Sequence, residues 1–248
     1  MSGAGTPVLF VALTFALAGL VKGVAGMGLP TVAMGLLGLT MAPAEAAGLL
    51  IAPSLITNVW QFAAGRHRWM LFRRTWPLLA AIVLATWAAS GMLTAGSSSR
   101  ATAALGAALA LYASLGLARL RLSVPRRTER WLGPLIGATT GVITGATGVF
   151  VIPAVPYLQA LDLDRDDLVQ VLGLSFTAST IALAAGLATR GAFQVAGSGA
   201  SLLCAVPALG GMWLGQALRE RVNAATFRTL FFLGQLLLGL DLLGKGLL

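Results

Sequence analysis

The sequence predicts an all-α integral membrane protein made of two structural repeats. Each repeat is a glycine-broken helical hairpin plus three transmembrane helices, and the second is inverted relative to the first. Three observations predict this. Of 248 residues, 57% are hydrophobic and 10% charged, with a mean hydropathy of +0.86, far more apolar than a soluble domain of this size. The apolar stretches reach the roughly 20 residues that a helix needs to cross a bilayer core, and no period-2 barrel pattern is visible. Finally, a glycine-dense stretch occurs twice, as Gly19-Leu-Val-Lys-Gly-Val-Ala-Gly-Met-Gly-Leu-Pro30 and as Gly137-Ala-Thr-Thr-Gly-Val-Ile-Thr-Gly-Ala-Thr-Gly148, the latter followed by Pro153. Glycine adopts backbone conformations closed to other residues and proline removes an amide donor, so each stretch is expected to interrupt a helix. Irregular backbone at membrane depth is tolerated only where protein buries it or it lines a cavity. Two such breaks at corresponding places point to a transporter binding site.

Taken in order, Met1 to Pro7 carries no basic n-region, so the first apolar run is read as structure and not as a cleaved signal peptide. Val8 to about Thr40 is too long for one ordinary pass and divides at the glycine stretch. A full span from Pro43 to Ala64 carries the polar set Ser54, Thr57, Asn58 and Gln61. After a loop with Arg66, His67, Arg68, Arg73 and Arg74 come spans at about 75–94 and 101–120. Residues 1–118 form the first repeat, 119–130 a basic cytoplasmic linker, and 131–248 the second repeat. The second repeat follows the same plan: a broken segment from Trp131 to Leu161, an acidic loop, and spans at about 168–189, 194–218 and 225–247. Gly19, Gly23 and Val24 match Gly137, Gly141 and Val142 at a constant offset of 118, and Ala63-Ala64-Gly65 matches Ala184-Ala185-Gly186 at 121.

The net charge of +9 is explained by topology and not by nucleic acid, because the basic residues cluster in short loops beside spans. Loops 65–75, 119–130 and 218–228 hold 12 of the 17 Lys and Arg residues and are expected on one, cytoplasmic, side. That holds in the second half only if the segment from Trp131 to Leu161 enters and leaves by one face. The competing count makes each broken segment a single pass, which gives eight spans and leaves Arg219, Arg221 and Arg228 outside. Cys204 stands alone and is read as a packing residue.

Lys22 is the sharpest candidate for chemistry, since a charge in an apolar region is costly unless it serves a site; the alternative is a lysine that snorkels to the headgroups. A lone lysine favours an anionic substrate. Helices starting at the breaks would add N–H groups and a positive dipole end, from Gly26 and Gly28 in the first copy and from Thr144, Gly145 and Gly148 in the second. The alternative for these glycines is close helix packing. Asn58 and Gln61, with Ser54 and Thr57, could face the cavity from the first half, and Ser175, Thr177, Ser179 and Thr180 from the second. Ser54 and Asn58, like Ser175 and Ser179, are four residues apart and share a helix face. Asp241 and Lys245 are expected to pair, the loop around Asp164 to be solvated, and His67 to hold no metal. The six tryptophans lie toward span ends, Trp87 fitting least.

The Gly19–Pro30 stretch, the following span with Pro53 and Asn58, the basic linker and the second stretch at Gly137 to Pro153 together resemble the sulfite exporter TauE/SafE family. The resemblance covers nearly the whole chain and implies a multi-pass carrier of the bacterial inner membrane for small sulfur-containing anions such as sulfite or organosulfonates. The second copy departs from the family in its threonines, which stand where a run more densely glycine is expected. No cofactor is expected.

The leading expectation is therefore secondary transport of a small anion by alternating access, with both breaks around one midplane site. No carboxylate lies securely within a span, so coupling to protons would run through the substrate, through Lys22, or not at all. A cation or metal carrier lacks the Asp, Glu, His and Cys ligands it would need. A membrane-embedded enzyme lacks a nucleophile with a base, and a non-transporting scaffold would have no use for two costly breaks. A homo-oligomer is compatible with the sequence.

Overall fold

The computed structural model describes residues 7–95, 97–118, 122–192 and 195–247. The segment Met1 to Thr6 and the linker arginines Arg119 and Arg121 lie outside the described residues. Within them every regular element is a helix: α1 (Val8–Ala25), α2 (Leu29–Leu37), α3 (Pro43–Ala63), α4 (Arg68–Ala89), α5 (Gly91–Ala95), α6 (Ser98–Leu117), α7 (Glu129–Thr147), α8 (Ala154–Gln159), α9 (Arg165–Thr189), α10 (Val195–Leu218) and α11 (Ala224–Leu247). Seven helices among the described residues are long and apolar enough to cross a membrane, α4 and α5 counting as one.

Both expected breaks are present, but each is narrower than its glycine stretch. α1 runs through Gly19 and Gly23 and ends only at Gly26, whose φ of +77° lets its N–H close on the Lys22 carbonyl at 2.7 Å. Gly28, at φ +106°, then caps α2, with Pro30 in the first turn where its missing N–H costs nothing. Likewise α7 contains Gly137, Gly141 and Gly145 and ends at Gly148, φ +73°; residues 149–153 lead into α8. A side chain at Gly28 would meet the left-handed penalty, and its Cβ would lie 2.9 Å from Val21 Cγ1. Gly28→Ala is expected to cost about 1–2 kcal/mol, seen as a lowered thermal midpoint in detergent.

The glycines inside the helices make the tightest seams. A Cβ at Gly19 or Gly23 would collide with the Ala208 or Met212 carbonyl oxygens, and one at Gly211 or Gly215 with those of Ala16 or Leu20, so α1 and α10 run parallel in backbone contact. Gly137, Gly141 and Gly145 hold α7 parallel against Leu78, Ile82 and Ala89 of α4, and Gly106 and Gly239 hold α6 against α11. The other principal pairs are α3 with α9, α3 with α10 and α4 with α9. Exchanging the two halves carries α1·α10 onto α7·α4 and α3·α10 onto α9·α4, a pattern consistent with a two-fold relation.

The three basic loops meet at one end of the bundle. Arg74 donates to Glu129 and to the Leu161 carbonyl, Arg228 donates to the Gly116 carbonyl at the end of α6, and Arg219 shares a cavity with Ala64. The Trp131–Leu161 segment therefore leaves by the end at which it began, as the hairpin count requires, and Arg219, Arg221 and Arg228 are not left at the far end as the eight-pass count would have them. α1 and α2 form the opposite hairpin: Met27 packs near Tyr112, toward the inner end of α6, and Gly38 near Leu105, farther out. Trp87 lies in the last turn of α4 and is exposed. Asp241 pairs with Lys245 at 2.8 Å as expected.

Candidate functional site

The polar face of α3 is organised by Pro53. A proline inside a helix frees the carbonyl one turn back, and that group, on Leu49, accepts a hydrogen bond from Ser201 of α10 at 2.9 Å, while Ala52 N donates to the same hydroxyl at 3.0 Å. One turn further along α3, Ser54 and Asn58 point together into the bundle. Asn58 Nδ2 donates to Ser54 Oγ at 3.0 Å, and Thr180 of α9 donates to the same oxygen at 3.3 Å. Lys22 Nζ donates to Asn58 Oδ1. Lys22 is 3% exposed and Asn58 fully buried, so this lysine does not snorkel. Thr57 turns back on its own helix, donating to Pro53 O at 2.7 Å.

Beside Lys22 lies a cavity of about 120 Å³ lined by Gly23, Gly26, Gln61, Gln216 and Arg219. Gln61 Nε2 donates to Gly26 O at 2.9 Å and to Val169 O at 2.6 Å, tying the first break to α9. Gln61, Ala64 and Val169 also line a wider vestibule of about 530 Å³ toward the inner end. The half-buried Arg219 has a buried Nε without a hydrogen-bond partner among the described residues. Burial holds its guanidinium below the usual arginine range, with the nearby Arg165 adding to the effect and Asp166 opposing it. Lys22 has no carboxylate within ion-pair distance among the described residues; the Lys and Arg ion pairs there are Arg74–Glu129 and Lys245–Asp241, and Asp167 meets His67.

The helix end at this cavity has the opposite polarity from the expected one. It is the C-terminus of α1, whose negative dipole end favours the lysine in its last turn; the cations, not helix N–H groups, are what an anion would meet. The structure brings Lys22, Gly26, Asn58 and Gln61 together, whereas the Thr57 hydroxyl is turned to carbonyls of its own helix. Gly28 packs instead against Val21 and Phe231. Gly148 lies against Met34 and Ala47, and Ala47 precedes Asn58 by eleven residues, about 16 Å along α3. The two breaks thus lie at different depths and do not surround one midplane point. Thr144 donates to the Thr140 carbonyl at 2.7 Å and Gly145 packs on Ala89 within α7, so neither opens a helix. Ser179 donates to Ser175 O at 3.0 Å, and the buried Ser175 Oγ has no partner among the described residues. The second half reaches the network through Thr180.

Two features of the site were not expected from sequence: the second cation, Arg219, and a contact of His67 Nδ1 with Asp167 Oδ1 at 2.8 Å. The Asp167 side chain is only 13% exposed, so the acidic loop is less solvated there than its composition suggests. No group of three or more His, Cys, Asp or Glu among the described residues could hold a metal ion.

Comparison with curated proteins and with solved structures returns no significant match. A family model described as sulfite exporter TauE/SafE matches residues 11–242, a range that contains both breaks, the glycines of the α1–α10 and α4–α7 seams and the Lys22 network. The chain belongs to the sulfite exporter TauE/SafE family.

Proposed function

We propose that the protein is a secondary transporter of a small sulfur-containing anion, such as sulfite, a sulfonate or a related organosulfur anion, working by alternating access between the halves 1–118 and 131–248. The observation that carries this reading is the buried Lys22, which has an asparagine partner, a cavity beside it and a second cation across the cavity, but no counter-ion among the described residues. A buried charge is costly until it is paired, and a substrate anion supplies the missing charge. Lys22 and Arg219 hold its oxygens, Asn58 orients Lys22, and Gln61 separates the cavity from the inner vestibule. Lys22 is the one titratable group in the network, and coupling to a proton gradient would act there.

The test is uptake of labelled sulfite and of a small sulfonate into sealed proteoliposomes, with pH varied on each side and a cation of similar size for comparison. Anion flux above protein-free vesicles is expected for at least one of the two; flux of the cation alone would overturn the reading. Arg219→Gln is expected to raise the half-saturating concentration roughly tenfold, as the loss of one charged hydrogen bond implies. An unchanged value would remove Arg219 from the site.

A further inference from the structure

We propose that the inner-end cleft between α4, α7 and α9 is a binding site for an anionic phospholipid. Its phosphate headgroup is held by Arg73, Arg126 and Arg130, and one acyl chain lies in the apolar groove that continues past Trp76.

At the inner end of the α4–α7 seam the two helices and the linker open into a cavity of about 790 Å³ lined by Arg73, Arg74, Trp76, Arg126, Glu129 and Arg130. Arg74 is neutralised within the protein, since its Nε and Nη2 donate to the two Glu129 carboxylate oxygens at 2.9 and 2.6 Å. Arg73, Arg126 and Arg130 are exposed and have no carboxylate partner among the described residues. Positive-inside topology accounts for arginines at this end, but it does not require three unpaired ones to converge on one cavity.

The second observation is what adjoins the cavity. Trp76, 57% exposed, is shared between it and a groove of about 550 Å³ whose walls are almost wholly apolar, formed by Leu79 and Val83 of α4 and Leu174, Ala178 and Ile181 of α9. On α4 the groove runs from Phe72 to Leu84, about 18 Å at helical rise, close to the roughly 15 Å half-thickness of a bilayer's hydrocarbon core. It starts at the arginine end and runs toward the middle of the bundle. A free phosphate would engage the arginines and leave the groove unfilled. A zwitterionic lipid would fill the groove and bring no net charge to the cations. An anionic phospholipid satisfies both, in the way basic pockets at cytoplasmic helix ends hold acidic headgroups.

The experiment is native mass spectrometry of the purified full chain in detergent, titrated with phosphatidylglycerol, diphosphatidylglycerol and phosphatidylethanolamine. Retention of an anionic lipid in preference to phosphatidylethanolamine is expected. Arg126→Gln with Arg130→Gln should lower that retention roughly 25-fold, at about fivefold per arginine facing a charged lipid. Arg68→Gln with Arg221→Gln, an equal loss of charge at the same end, should leave it unchanged. Ala178→Trp, which fills the groove without altering charge, should also lower it. Equal loss in both arginine pairs would mean diffuse attraction and overturn the site. Retention at the wild-type level in Ala178→Trp, with inorganic phosphate competing as well as lipid, would reduce it to a free-phosphate site and overturn the lipid assignment.

Discussion

Lys22→Met is expected to reduce anion flux to the level of protein-free vesicles, at least about 100-fold, while the protein still folds. Under the proposed function, the size follows from removing a buried cation that would make charged hydrogen bonds to the substrate, together about 3 kcal/mol or more. Folding survives because methionine keeps an unbranched chain in the same space, and replacing a buried charge with an apolar group is often neutral or stabilising. One cost remains, since Asn58 Oδ1 loses its donor, a penalty of about 1–3 kcal/mol for a buried acceptor left unpaired. The double variant Lys22→Met with Asn58→Leu removes both groups and should melt higher than the single variant, yet be equally inactive. Flux and thermal midpoint measured on one preparation check both expectations. Wild-type flux in Lys22→Met would show that the anion does not use this lysine, and an unfolded single and double variant would make the network structural.

The second large effect separates two neighbouring glycines. Gly211→Ala should destabilise the protein by about 3 kcal/mol, the upper part of the range for overpacking, because its Cβ would collide with the Ala16 carbonyl and α1 cannot move away without losing Gly19 and Gly23 from the same seam. Gly210→Ala should be silent or slightly stabilising, by about 0.5 kcal/mol from helix propensity, since nothing lies within 4 Å of a Cβ there. Thermal midpoints of the two variants in one detergent decide it, and equal midpoints would show that the seam is looser than backbone contact.

The same glycines show what could be read from sequence. The order of the long helices, the two breaks and the gathering of basic loops at one end follow from apolar length, Gly and Pro chemistry and charge placement, all of them local, whereas the short α5 was not expected. The position of each break within its stretch was not legible, because one motif combines two roles. Gly19 and Gly23, like Gly137, Gly141 and Gly145, recur at four-residue spacing and pack helices, whereas Gly26, Gly28 and Gly148 supply positive φ. The four-residue period was the available signal for the first role. Lys22 and Asn58 stood out because polar groups in apolar sequence are costly. Arg219 did not, because nothing in a loop beyond α10 indicates that it folds back beside α1. The dipole polarity at the site was likewise hidden, since it depends on which helix ends there.

The packing of the long helices also bears on how the chain is made. The glycine face of α1 is completed by α10 and that of α7 by α4, so the linker at 119–130 is a boundary in sequence and not in space. During synthesis α7 finds its partner already in the bilayer, whereas α1 must wait for a helix translated almost the whole chain later. Until α10 is inserted, Lys22 sits on a helix whose closest neighbour is missing, and the first hairpin stays the part of the molecule most dependent on its membrane surroundings and on whatever helps hold unpaired helices there.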